Sequence, residues 1–470
     1  MDSFIQKSFP WFSIKLFYNL FVIWFVLIPF DAYLMPLDLG PVTIYPQLIL
    51  TLFLLLGSFL LVTNSELSLS SKLFQLFYFI WFAYAFCFYP FVNGKYEALH
   101  EIRSLFLMGA TITILLRTPE IIGRKIFKEI INQLSYLLFI FLVIIGFLEF
   151  FTGIHFEGFF TKKLVNLSPG PVTYAPVFLY DNPNNYLVYL FSFANIFLLT
   201  KQKINSYQTF SILLFLLFFS IAADSKYGKI IALFLFAVIF LPLIWIKFKS
   251  MDATIKRAVC ILVGALVFFI LTKPLFFGPI WKENPNYLLA PLTPLVIDEN
   301  KVTLIDKDSL IKVKGKDVIY KSIVEYRNKH IIQSTDLRRN LILNGIYLTQ
   351  ISNYLGVGPG QFQWYHSHNL IPNNTNKITN PHESNIEIAS QYGIIILLLF
   401  ASFMLHRLYV TLKSSLDIKQ KVSFVAICIS YLFISEMPSS WLVLNIAWIF
   451  TAILFLFPDL TSVKGDEISE

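Results

Sequence analysis

Long apolar runs separated by short polar or charged ones dominate this chain, and the length of the runs is informative. A helix needs about 20 mostly apolar residues to cross a hydrocarbon layer roughly 30 Å thick. Twelve stretches approach or meet that length, near 11–30, 43–62, 73–92, 99–116, 130–151, 183–200, 207–223, 229–247, 257–275, 386–405, 422–437 and 440–457. The pattern predicts an all-α polytopic membrane protein with about 12 transmembrane helices. The opening "MDSFIQKSFPWFSIK" carries no small-residue cleavage site and a second run follows at once, so the first run reads as a retained helix and not a signal peptide.

Composition fits this reading: 56% of the 470 residues are hydrophobic, 14% are charged and 50 are phenylalanine, with a mean hydropathy of +0.66. The net charge of +8 adds an orientation, because Lys and Arg in short loops stay on the cytoplasmic side. With the N-terminus inside, the short inner segments hold 18 Lys and Arg residues, among them Lys72, Arg117, Arg124, Lys128, Arg407 and Lys421, against six outside. Both termini are then cytoplasmic. The charge therefore calls for no nucleic acid or acidic partner. Three cysteines, Cys87, Cys260 and Cys428, lie far apart in predicted spans and indicate neither a disulfide framework nor a metal or redox motif.

One connection is long. Residues 1–275 read as a membrane domain with helices 1–9, 276–384 as a large external loop between helices 9 and 10, and 385–470 as helices 10–12 with a cytoplasmic tail. The loop opens with Pro274, Pro279, Pro285, Pro291 and Pro294, which disfavour helix. Apolar and charged residues then alternate in "VTLIDKDSLIKVKGKDVIYKSIV", predicting a short β element. In "STDLRRNLILNGIYLTQISNYLG" the spacing of Leu337, Leu341, Leu348, Ile351 and Leu355 predicts an amphipathic helix stopped by Gly356. A loop of this size is uncommon unless it serves a function.

Charges at span ends are costly, and those with candidate chemistry gather on the outer side: Glu101, Arg103, Glu149, Asp224, Lys226 and Glu436. His382 immediately precedes the tenth run. A helix start there supplies unpaired N–H groups and partial positive charge, which suits an anion such as phosphate and favours a neutral imidazole able to accept a proton. Glu387 falls one turn into the same helix, where a carboxylate either orients a polar partner or reaches back to water. Arg338 and Arg339 offer guanidinium groups suited to phosphate oxygens, but as helix neighbours they point about 100° apart, so only one faces a given site. His366 and His368 have no carboxylate or cysteine at metal-ligand spacing and read as neither metal ligands nor catalytic groups, tolerant of substitution. No cofactor or metal site is indicated.

The order of these pieces resembles the O-antigen ligase/polymerase family, which includes capsule and teichuronic-acid-type polymerases. "LGVGPGQF" and "NPHESNIEIASQYGIIILLL" carry most of the match, with support from "YDNPNNYLVYL" and "AADSKYGKIIAL". The resemblance implies a glycosyltransferase of the bacterial inner membrane. It would move glycan from undecaprenyl pyrophosphate to an acceptor hydroxyl at the outer face, without metal. It implies that His382 is the essential histidine and Arg338 or Arg339 the loop arginine. Ser225-Lys226 stands where the family usually has a serine and an arginine, keeping charge but losing the fork. Glu383 follows the histidine where the family often has asparagine, with Asn385 two residues on.

A polymerase of lipid-linked repeat units is the expected activity. Its partners would be the glycan donor and acceptor, the bilayer, and a flippase and chain-length regulator. A ligase transferring finished glycan to lipid A-core or protein is the alternative, and a lipid-linked oligosaccharide flippase a third. The charges on one rim and the single long loop disfavour the flippase, which should carry polar midplane residues and repeated halves.

Overall fold

The computed structural model describes residues 13–33, 37–38, 43–44, 46–62, 67–152, 176–180, 183–201, 206–223, 225–240, 338–368, 370–373, 375, 381, 383–438 and 440–461. Among them the regular structure is helical apart from one antiparallel pair, β1 (Leu37–Asp38) and β2 (Thr43–Ile44). The helices before the long loop are α1 (Ile14–Leu27), α2 (Pro46–Leu61), α3 (Leu69–Phe88), α4 (Lys95–Ile122), α5 (Arg124–Thr152), α6 (Pro183–Thr200), α7 (Ser206–Ala222) and α8 (Lys226–Leu235). After it come α9 (338–351), then α10 (Gln361–Ser367), α11 (Ser384–Lys413), α12 (Ile418–Ile434) and α13 (Asn445–Thr461).

Helix occupies most of the described part of the predicted runs, with β2 at the start of the second and turns before Asn445 in the last; run 257–275 lies outside the described residues, as do the expected β element, the proline-rich stretch and Asp224. Among the described residues four helices are long and apolar enough to cross a membrane: Leu69–Phe91, Lys95–Ile122, Arg124–Phe151 and Ser384–Lys413. Polar residues mark where helices begin. Ser13 accepts from Leu16 N–H at 3.2 Å, Ser68 from Ser71 N–H at 3.2 Å, and Asp417 from Gln420 N–H at 2.7 Å, each satisfying a backbone donor that the helix leaves open.

At the centre stand α6 and α13, buried on nearly all sides. Helix α13 packs against α4, α6 and α11, and α6 against α5 and α12. Packing there is aromatic, with Phe74 stacked on Phe455 at 4.2 Å and Trp81 edge-on to Trp448 at 6.2 Å. Side-chain hydrogen bonds also tie helices together: Trp24 Nε1–H donates to Thr51 at 2.9 Å, and the Tyr431 and Thr451 hydroxyls meet at 2.8 Å. In lipid each such bond contributes about 0.6 kcal/mol on average.

The bundle has two distinct ends. At one, buried Arg117 donates to Val62 O at 2.8 Å, and buried Arg407 donates to Phe455 O at 2.7 Å and pairs with Asp459 at 2.9 Å. These guanidinium groups donate to main-chain carbonyls of the packed helices and the residue that follows one of them. At the opposite end lie the starts of α4, α11 and α13, the ends of α3 and α12, and the buried carboxylates Glu101 and Glu387.

Candidate functional site

The expected site begins with a break in α11. Gly393 has φ 86° and ψ 167°, values outside the helical range, so α11 is two helical pieces joined at that residue. A break inside an apolar helix exposes main-chain groups that lipid cannot satisfy. The turn Gly356–Gly360 supplies their partners. Val357 N–H donates to Ser390 O at 2.8 Å, Gly358 N–H to Gln391 O at 2.9 Å, and Ile394 N–H to Tyr354 O at 3.0 Å. The Gln391 side chain accepts from Gly360 N–H at 2.6 Å. A Cβ at Gly356 would lie 2.5 Å from Gly393 N, and one at Gly393 would lie 2.5 Å from Leu355 O. "GVGPG" and "SQYG" are thus two halves of one backbone junction.

Helix α9 precedes this turn and lies beside the first turns of α11. It buries Leu341, Asn344, Leu348 and Thr349, whereas Ile351 and Leu355, expected on the same apolar face, are 46% and 51% exposed. The helix stops before Gly356 because Asn353 and Tyr354 already have positive φ, 51° and 64°. His366 is also unlike its expectation. It is buried, its Nδ1 bonds Phe362 O at 2.7 Å, Asn344 Nδ2 stands 3.3 Å from its Nε2, and its ring stacks on Phe362 at 4.1 Å. It holds α9 to α10, so its removal would loosen the loop. Burial lowers its pKa below the usual value.

This arrangement leaves a cavity of about 390 Å³ lined by Arg338, Ile342, Pro381, Glu383, Asn385, Glu436 and, on one wall, Tyr227, Leu432 and Phe433. The volume falls in the roughly 300–1,000 Å³ range of small-molecule sites. Four chain segments meet there. Arg338 faces the cavity with its guanidinium 6.0 Å from the centre of the Tyr227 ring, whereas Arg339 is exposed on another side of α9. Asn385 donates to Glu436 Oε1 at 3.2 Å, and Ser384 and Ser435 reach the same oxygen at 3.4 Å. His382 lies outside the described residues; its sequence neighbours Pro381 and Glu383 both line the cavity.

Three other expected site residues stand apart from the lining. Ser225 caps α8, accepting from Gly228 N–H at 3.2 Å, and Lys226 is the exposed first residue of that helix, next to Tyr227. Glu387 is buried and accepts from the Ser440 hydroxyl and from Trp441 N–H, the latter at 3.0 Å, which ties the first turn of α11 to the segment before α13. Conversely, Glu436 and Glu383 reach the cavity although sequence reasoning placed neither at the site. Their positions, at a span end and directly after His382, were the available signals. Among the described residues no cluster of three or more His, Cys, Asp or Glu side chains is placed to hold a metal ion.

Burial and, after it, the Glu383 charge push the Glu436 carboxyl up to about 8, against hydrogen bonds from Ser384 and Ser435; burial also raises Glu383. The folded protein therefore keeps a proton that the unfolded chain releases near its ordinary value of 4.5. This contribution to stability is complete below about 4.5 and is lost as pH rises through about 8. The thermal midpoint of purified Glu436→Gln should accordingly fall less between pH 5 and pH 8 than that of the wild type, at roughly one proton's difference in slope. Equal slopes would contradict the assignment.

No protein-family model matches the chain, and neither a curated protein nor a solved structure matches it. Among the described residues the fold is a helical bundle with four helices long and apolar enough to cross a membrane, and a cavity lies at one end of the bundle, at the start of the broken helix.

Proposed function

We propose that this chain is a glycan polymerase that extends lipid-linked repeat units at the outer face of a bacterial inner membrane. It would use about 12 spans, cytoplasmic termini and an external loop 276–384. The observation that supports it best is the meeting, in one cavity, of Arg338 with Pro381, Glu383 and Asn385, at the bundle end opposite Arg117 and Arg407. Arg117 and Arg407 belong to the Lys/Arg-rich side that the charge asymmetry makes cytoplasmic. The cavity then opens outside, where no ATP or nucleotide sugar is at hand and the driving force must reside in the donor.

An undecaprenyl-pyrophosphate glycan is such a donor. The acceptor hydroxyl oxygen attacks the anomeric carbon, a glycosidic C–O bond forms, and the C–O bond to the pyrophosphate breaks with its electron pair leaving on the phosphate. Arg338 stabilises the charge as it develops, with Lys226 as a second cation near the mouth. His382 takes the hydroxyl proton. Asn385 orients Glu436, and Glu387 fixes the start of α11.

In a host that makes the cognate glycan, His382→Ala should abolish the ladder of extended chains on a gel at an unchanged protein level, and exposed His368→Ala should leave it intact. A normal ladder from well-expressed His382→Ala would overturn the assignment. Loss of only the lipid A-core-attached form, with free lipid-linked chains still extended, would identify a ligase instead.

A further inference from the structure

The cavity has two chemically different sides. Arg338 is its cation, yet among the described residues no ion pair within 4.0 Å joins it to Glu383 or Glu436. The carboxylates stand apart from it. Glu436 Oε1 is occupied by Asn385, Ser384 and Ser435, whereas Glu383 Oε2 is buried without a hydrogen-bond partner. Beside them Tyr227 and Phe433 form a tilted aromatic pair with ring centres 6.5 Å apart.

Neither carboxyl offers a phosphate a positive charge, so a donor engaging Arg338 leaves the Glu383–Glu436 side to the other reactant. Carboxylate oxygens accept hydrogen bonds from hydroxyl or ammonium groups, and aromatic faces pack against the C–H faces of a sugar ring. The two partly buried carboxyls already crowd each other's charge, so an acidic sugar brought beside them adds a further negative charge that one of the three must give up, a costly arrangement.

We propose that the Glu383–Glu436 side of the cavity is the acceptor subsite and takes a neutral or amino sugar while rejecting an acidic one. The proposal rests on the glycan-transfer reading and adds to it the charge class of the acceptor. Three trisaccharides serve as probes of the purified full-length protein, with binding followed by thermophoresis: N-acetylated chitotriose (neutral), its deacetylated form (amino) and trigalacturonate (acidic). The first two should bind saturably and at least tenfold more tightly than trigalacturonate. The Glu383→Gln, Glu436→Gln double variant should lose most of that discrimination, and a cooperative thermal transition in detergent shows that it is folded. Trigalacturonate binding as tightly as chitotriose, discrimination surviving in the double variant, or no saturable binding of any probe would each overturn the subsite. Glycan ladders test the underlying reading separately. Charge-selective binding together with ladders that persist in His382→Ala would remove the transfer reading and leave the subsite.

Discussion

Arg338→Ala is expected to reduce chain extension by about a hundredfold or more, the scale of losing a charge-stabilising donor, while Arg339→Ala stays within about twofold. The two residues are adjacent and chemically identical, so the contrast tests geometry alone. Arg338 lines the cavity beside Tyr227, and Arg339 points elsewhere from the same turn of α9. Arg338→Lys should fall between, since an ammonium keeps the charge but not the bidentate fork. The measurement is glycan chain length and extension rate in membranes matched for protein level. Equal loss from both alanine variants would place the guanidinium requirement on α9 as a whole and not in the cavity.

Gly393→Val is expected to cost on the order of 3 kcal/mol, combining strain at a positive φ with overpacking. Its new side chain would meet Leu355 O, Leu355 C and Tyr354 O within 2.7 Å, which separates the GVGPG turn from α11. Gly123 provides the control. It shares the backbone conformation, with φ 87°, but nothing lies within 4 Å of a Cβ there, so Gly123→Ala should cost only the strain, about 1 kcal/mol. Thermal midpoints in detergent compare them directly. A Gly393→Val variant as stable as Gly123→Ala would mean that the backbone junction contributes nothing to the fold.

The helices could be read from sequence because hydrocarbon leaves the backbone so few choices that apolar length alone announces them. The break at Gly393 could not, since a glycine in an apolar run is ordinary in a membrane helix. What marks it is the pair of carbonyls, Ser390 O and Gln391 O, received by the turn, and backbone bonds leave no residue signature. The two motifs were visible separately; their junction was not. The choice between Arg338 and Arg339 likewise depends on helix phase, which the burial of Leu341 and Leu348 against Phe362 decides. Ser225 and Glu387, expected as supporting residues, stand outside the cavity lining, where they cap a helix and anchor a segment. Glu436 resembles any carboxylate at a span end until the fold sets it beside Asn385.

The most direct test of the account is extension by the purified protein, reconstituted in liposomes with lipid-pyrophosphate-linked repeat units and no nucleotide sugar. The account predicts a ladder of products that Arg338→Ala suppresses about a hundredfold or more and Arg339→Ala does not. A folded wild-type protein that leaves the repeat units unextended, or extends them only when a nucleotide sugar is supplied, would contradict it.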